Sequence, residues 1–259
     1  RLLLNALVSS EAVGYLYGAQ KFIHILLMIS ASTLPLIITE ASTLHSKGNF
    51  KAIRSLANRS QRYLSLITAP MIAGMVIFAP EIIRIVLGND YQQSVIVLQI
   101  LGVQAFGMTI SRPLGMLLFG IDRPGIASFL SVFSLLLGVG LTCILAPNSF
   151  FIIPGAGLGA VGVAISLGGR SLLSWIWLSF LLKKLVDLPI NLKPFWHLLV
   201  ALAAAYFSRN FLIGLGSIWV FFMGGVLLCI IYVGILWVLN EIDEQDYFKI
   251  KSILMPQKD

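Results

Sequence analysis

The sequence predicts an all-α fold, a polytopic membrane helix bundle of about seven transmembrane helices. Three observations carry this. Of the 259 residues, 58% are hydrophobic and only 11% charged, against roughly 45–50% and 25% in soluble domains. The mean hydropathy is +0.93. The apolar residues fall in long runs without the strict period of two of a barrel strand, so each run must satisfy its own backbone as a helix. The same figures argue against a soluble enzyme, a secreted disulfide scaffold and a disordered chain.

The elements follow in order. Residues 1–9 (RLLLNALVS) are apolar but shorter than the ~20 residues a span needs, and read as the tail of an earlier helix. Seven spans follow, roughly at 13–44, 63–87, 93–120, 124–146, 158–186, 194–213 and 216–239. Between the first two, residues 48–62 place Phe50, Ile53, Leu56 and Ala57 at helical spacing, with Lys51, Arg54, Asn58 and Arg62 on an adjoining face. This segment is either an interfacial helix on anionic lipid or a helical extension of the next span. In the tail after 240, Asp243, Glu244 and Asp246 precede Lys249 and Lys251, an order that suits a helix dipole. The chain starts at Arg1 with no signal-peptide pattern, and reads as part of a longer protein.

Lysine and arginine in the loops orient the bundle. Lys47, Lys51, Arg54, Arg59 and Arg62 crowd the loop near 45–62, and Lys183, Lys184 and Lys193 flank that near 187–193. The loops near 80–92 and 147–157 are poor in bases. This alternation fits seven spans with an external start and a cytoplasmic C-terminus. It also accounts for the net charge of +7 without a nucleic-acid partner. The sequon Asn58-Arg59-Ser60 falls on the cytoplasmic side and is set aside.

Cys143 and Cys229 sit in apolar runs and read as small hydrophobes. His24, His45 and His197 are scattered, so neither a metal site nor a catalytic triad is predicted, and no cofactor. Gly157-x-Gly159-x-x-Gly162 matches a dinucleotide fingerprint, but it opens a membrane helix instead of following a strand. Gly14-x-x-x-Gly18 and Gly155-x-x-x-Gly159 are small-residue patterns for close helix packing. Glu40 is the one acid well inside an apolar stretch. It is either a coupling-ion site or a side chain that snorkels or pairs with a nearby base.

The bases inside spans are Lys21, Arg112 and Arg170. Each costs ~2.5–3.5 kcal/mol at the bilayer centre, and no acids at matching depth neutralise all three. A cationic cavity for an anionic ligand would explain them, as would pairing with a part of the protein outside this chain. Arg112 can also snorkel toward the cytoplasmic end. Pro113, directly after it, permits a kink.

Val13-Gly14-Tyr15, Ala19, Lys21 and Pro35 resemble a span of the polysaccharide-lipid flippases, the Wzx-type branch of the MATE-like flippase superfamily. Ala79-Pro80-Glu81-Ile82-Ile83 with Gly88 and Tyr91 is similar to that family's external helix end. Gly159-Ala160-Val161-Gly162-Val163-Ala164 is similar to its "GAxGxA" helix start. The resemblance implies one transmembrane domain over 1–259. It comprises a C-terminal lobe (about 13–186), two extra helices (about 194–239) and a cytoplasmic tail (240–259), with the N-terminal lobe missing. It implies a multi-pass protein of the cell membrane that is not an enzyme. The substrate would be an anionic polyprenyl-diphosphate-linked oligosaccharide, moved outward by alternating access for cell-surface polysaccharide such as O-antigen. Membrane lipids and the missing lobe would be its partners. Lys21, Arg112 and Arg170 would meet the substrate, although the family pattern covers only Lys21. A cation-coupled multidrug exporter of the same superfamily is the alternative, and it needs acids in the lumen.

The loop charges generate a topology test. Single cysteines at Ser60 and Asn148 are to be probed in intact cells with an impermeant thiol reagent. Position 148 is expected to label and position 60 to stay protected; the reverse pattern would invert the bundle.

Overall fold

The computed structural model describes residues 10–147, 149–150, 153–154, 156–212, 216–239 and 241. Among these, eight α-helices follow in order. They are α1 (Ser10–Ser46), α2 (Phe50–Ile77), α3 (Ala79–Val86), α4 (Ser94–Gly120), α5 (Pro124–Leu145), α6 (Gly159–Val186), α7 (Lys193–Phe211) and α8 (Ser217–Val238). A two-residue antiparallel pair, β1 (Ser149–Phe150) with β2 (Ile153–Pro154), trims the α5–α6 link. Residues 1–9, Gly155 and the tail beyond Glu241 lie outside the described residues.

A helix stands at each predicted span, though among the described residues fewer than seven are long and apolar enough to cross a membrane by that measure alone. Four helices are long and apolar enough by themselves, α4, α5, α6 and α8, and six result if each bent pair counts once. The expected span at 194–213 is α7, whose Lys193, His197 and Arg209 lower its hydropathy below that of the others. Residues 48–62 settle as a helical extension. Asn49 accepts from the Ala52 amide at 3.0 Å and caps α2, and Ile53, Leu56, Ala57 and Gln61 then face the bundle.

In α1 the halves Val13–Met28 and Ser30–Ser46 meet at 41°, and Pro35 lies within the second half. Between α2 and α3 the chain turns 73° at Phe78, with Pro80 in the first turn of α3, where a missing N–H costs least. Pro80 has no amide for the Val76 carbonyl, and Gln99 Nε2 donates to it instead at 3.2 Å. Near Pro113, buried Gln61 Nε2 donates to the Ile110 carbonyl at 3.0 Å and ties α2 to α4. Each buried backbone group in an apolar setting needs such a partner.

α4 is the axis of the bundle. Leu98, Leu101, Ile110, Leu114, Leu117 and Leu118 are half of the largest fully buried side chains. Lipid is as apolar as leucine, so van der Waals contact through small residues holds membrane helices together. At Gly107 an added Cβ would lie 2.9 Å from the Ser171 carbonyl carbon on α6. At Gly120 it would lie 3.1 Å from the Ile38 carbonyl oxygen on α1. Gly102 meets Val76 of α2 in the same way.

The glycine-rich start of α6 has its own reasons. Gly157 and Gly159 hold φ of 64° and 52°, a region that favours glycine. A Cβ at Gly162 would lie 2.5 Å from the Leu145 carbonyl oxygen. The amides of Ala156, Leu158 and Gly159 bond the carbonyls of Ile144, Leu145 and Ala146, which the end of α5 leaves open. The pattern serves a turn and a close helix contact.

α7 and α8 form a second layer packed mainly on α2. Phe195 of α7 sits edge-on between Phe106 and Trp175, 5.0 Å from each ring centroid. Gly224 of α8 receives the Phe78 ring, with its Cζ 2.6 Å from where a Cβ would lie.

These contacts predict unequal tolerance along α4. Gly107→Val is expected to cost about 3 kcal/mol or more by overpacking, seen as a lower unfolding temperature in detergent. Gly115→Ala, where an added Cβ meets nothing within 4 Å, is expected to melt like the parent. Equal melting of the two variants would remove α4 from the axis.

Candidate functional site

The membrane helices differ in what they turn outward. In α5 only Ala127 and Gly138 are buried, and Phe129, Val132, Leu135, Leu136 and Val139 lie exposed. α8 exposes Trp219, Phe222, Val226, Ile230 and Val233. Such surfaces suit acyl chains. The outward face of α1 is mixed: Tyr17, Lys21, His24, Ser32, Thr39 and Thr43 are exposed on it among the apolar Ile25, Met28 and Leu36. Leu16, Ala19, Ile23, Leu26, Ile37 and Ala41 occupy the opposite face and are buried. Polar residues in spans ordinarily face a bundle interior or a watery cavity, and among the described residues these lie on the exposed side of α1.

α4 continues this surface. Its contacts with α6 run through Val103 and Gly107, those with α2 through Gln99 and Ile110, and those with α1 through Gly120. The stripe left over is Gln104, Met108, Arg112, Gly115 and Phe119, half-buried to exposed. Arg112 is therefore half-buried on the open side of the central helix, at the Pro113 irregularity.

Arg170 does not join this surface. Val103 faces Gly168 and Gly107 faces Ser171, so α4 and α6 run parallel in register. Arg112 then lies about 9 Å deeper along the bundle than Arg170. The Arg170 side chain leans on α5, where a Cβ at Gly138 would lie 2.6 Å from its Cδ. It lines a crevice of ≈ 300 Å³ with Phe133, Leu137, Leu173 and Trp177 and the hydroxyls of Ser134 and Ser174. In this chain Arg170 thus turns to α5, where Gly138 has no side chain to oppose it, while Arg112 lies on the open stripe of α4.

Glu40 lies on the flank of α1 toward α2. It lines a crevice of ≈ 640 Å³ with Arg59, Ser60 and Tyr63, so a base stands beside it. Of the glycines expected to pack, Gly14 faces open space, so no close helix approach is made there. Gly18 meets only the flexible tip of Leu87, with Cδ1 2.9 Å from an added Cβ. Gly159 serves its φ, and Gly155 lies outside the described residues. No group of three or more His, Cys, Asp or Glu side chains that could hold a metal ion occurs among the described residues, and Cys143 and Cys229 are free.

Two ionic clusters were not apparent from the sequence. The Glu241 carboxylate, just past α8, takes Lys193 Nζ at 3.0 Å and Arg62 Nε at 3.5 Å, with His197 Nε2 at 3.9 Å. Arg62 also donates to the Glu241 carbonyl, and fully buried His197 shares a 2.7 Å hydrogen bond through Nδ1 with Ser65 Oγ. At the opposite end Arg209 grips Glu81 at 3.0 and 3.1 Å. The two clusters fasten α7 and α8 to α2 and α3. Their members lie up to 179 residues apart, and no local pattern joins them.

With this geometry in place, the comparisons with known proteins are informative. Residues 1–96 match the model of a family described as polysaccharide biosynthesis protein. A probable low-salt glycan biosynthesis flippase of Haloferax volcanii, Agl15, is 23% identical over 225 residues, covering 86% of this chain and 46% of that protein. The structure of the lipid II flippase MurJ in an inward closed conformation superposes with a TM-score of 0.69 at 17% identity, over 87% of this chain and 47% of that one. The chain spans about half the length of each. The resemblance to polysaccharide-lipid flippases read from the sequence agrees with all three. The chain has the MurJ-like fold over most of its length and is a multi-pass membrane protein.

The Glu241 cluster generates a prediction. Its carboxylate is 17% exposed and holds two cations. Glu241→Gln is expected to cost about 1–3 kcal/mol, read as a lower unfolding temperature in detergent. Unchanged melting would make the cluster incidental to stability.

Proposed function

We propose that this chain is the C-terminal half of a flippase that moves a polyprenyl-diphosphate-linked oligosaccharide across the cell membrane for surface polysaccharide synthesis. One observation carries the reading: Lys21 is exposed on the outward side of α1 and Arg112 lies on the open stripe of α4, about 16 Å apart along the bundle by the Gly120–Ile38 register. In lipid, Lys21 alone would cost ~2.5–3.5 kcal/mol, whereas the outer faces of α5 and α8 are built for lipid. The polar face therefore belongs against water, substrate and a second lobe. The family model and the glycan flippase relative support the same reading. So does the MurJ-like fold.

In this reading α1, α4 and α6 form one wall of the transport cavity. The second lobe supplies the other wall, in keeping with relatives about twice as long. α7 and α8 are the added pair outside the lobe. The diphosphate is the fixed anionic part of the substrate. Lys21 and Arg112 lower its cost of leaving water, and the outward face of α1, with its hydroxyls, gives the sugars hydrogen-bond partners. Pro35 and Pro113 let α1 and α4 bend as the two lobes rock, which is alternating access. With the loop at 45–62 and the C-terminus cytoplasmic, the inside-negative potential favours outward transfer of the anion, by about 2.3 kcal/mol per charge per 100 mV. The chain binds and moves its substrate without altering it. A multidrug exporter taking cations would need acids on this face, and Glu40, the acid offered as a coupling site, lies beside Arg59 instead.

The test uses the full-length transporter at matched membrane abundance, with surface polysaccharide as the readout. Lys21→Gln and Arg112→Gln are each expected to reduce export several-fold, and the double variant to abolish it. Arg170→Gln, in its separate crevice, is expected to retain most activity. Normal export by the double variant would overturn the reading.

A further inference from the structure

A second basic site lies away from the polar face of α1. Lys51, Arg54, Ser55 and Asn58 form one stripe on the first two turns of α2, at the three- and four-residue spacing of a single helix face. They face Lys183 at the end of α6 and the link Asp187–Ile190 across a cleft of ≈ 1210 Å³. Arg54 builds the wall: its Nη1 donates to the Val186 carbonyl and to Asp187 Oδ2, each at 3.4 Å. Asp187, at φ 54°, ends α6 in a left-handed turn that opens the cleft beside it. Lys51 and Lys183 make no ion pair among the described residues, so two ammonium groups from separate helices face the cleft unpaired. In the same cleft Asn58 Oδ1 is buried and accepts no hydrogen bond. Leu188, Pro189 and Ile190 give the cleft an apolar side.

We propose that this cleft binds the headgroup of an anionic glycerophospholipid. The phosphate lies between Lys51 and Lys183, a headgroup hydroxyl donates to Asn58 Oδ1, and the glycerol and first acyl carbons rest on Leu188–Ile190. The shared chemistry is a phosphate bound by two ammonium groups, which free phosphate also offers. The apolar side and the position at helix ends, where headgroups lie, favour the lipid. This site is independent of the transport reading. It belongs to the chain as it stands and needs no second lobe.

The test is lipid binding by the purified 259-residue chain in detergent, followed by native mass spectrometry with phosphatidylglycerol and, as the control, phosphatidylcholine. The parent is expected to retain phosphatidylglycerol at least tenfold better than phosphatidylcholine. The combined change Lys51→Ala and Lys183→Ala is expected to lose about tenfold in phosphatidylglycerol affinity. Lys51→Arg with Lys183→Arg is expected to keep most of it, and guards against a folding defect. Lys47→Ala with Lys184→Ala removes the same charge outside the cleft and is expected to change affinity less than twofold. Equal losses from both alanine pairs would mean a diffuse basic surface and overturn the site. Full displacement of the lipid by millimolar inorganic phosphate would overturn the lipid as the occupant. Transport by the full-length protein could fail or survive without bearing on any of these outcomes.

Discussion

The close approach of α4 to its neighbours fixes the rest of the structure. Gly107 and Gly120 bring the backbones of α6 and α1 against one helix, and Gly102 admits the Val76 side chain of α2. Where apolar surface gains little by leaving lipid for protein, dispersion at such short range is the main source of association. With three sides of α4 taken, the fourth is open, and that is the side on which Arg112 lies. The place of the charge is thus a consequence of where the glycines are.

The same economy governs the polar groups that the kinks release. Pro80 turns the α2–α3 corner and strands the Val76 carbonyl, and Gln99 on α4 reaches across to it. Gln61 of α2 ties to α4 at the Ile110 carbonyl. Both glutamines act between helices, and the Glu241 and Arg209 clusters extend the ties from α2 and α3 to α7 and α8.

The surfaces divide the molecule by solvent. α5 and α8 are apolar outward, α1 carries Lys21, His24 and hydroxyls outward among apolar side chains, and the ends of α2 and α6 are basic. A membrane protein cannot leave a face like that of α1 in hydrocarbon without a cost of several kcal/mol. In the proposed reading that face meets water, substrate and a second lobe. This asymmetry gives functional meaning to the likeness with half of two flippases.

Much of this was legible in the sequence. Long apolar runs placed most helices to within a few residues, since backbone hydrogen bonding in lipid leaves no other regular choice; the span at 63–87 instead starts at Phe50 and breaks at Phe78. Lys21 and Arg112 stood out because charge inside a span is costly wherever it points. What the sequence could not determine was direction around each helix. Arg170 and Arg112 looked alike until Gly138 drew one toward α5 and the α1–α4–α6 contacts left the other beside the open face. Gly14 looked like a packing residue and faces space, while the tightest contacts fell at glycines in no repeating pattern. Lys193, Arg62 and Glu241 read as separate loop charges and meet at one carboxylate. In each case composition and spacing set the type of element and its cost in lipid. Which neighbour a side chain meets depended on the angles and registers of helices distant in sequence, and those exist only once the bundle has packed.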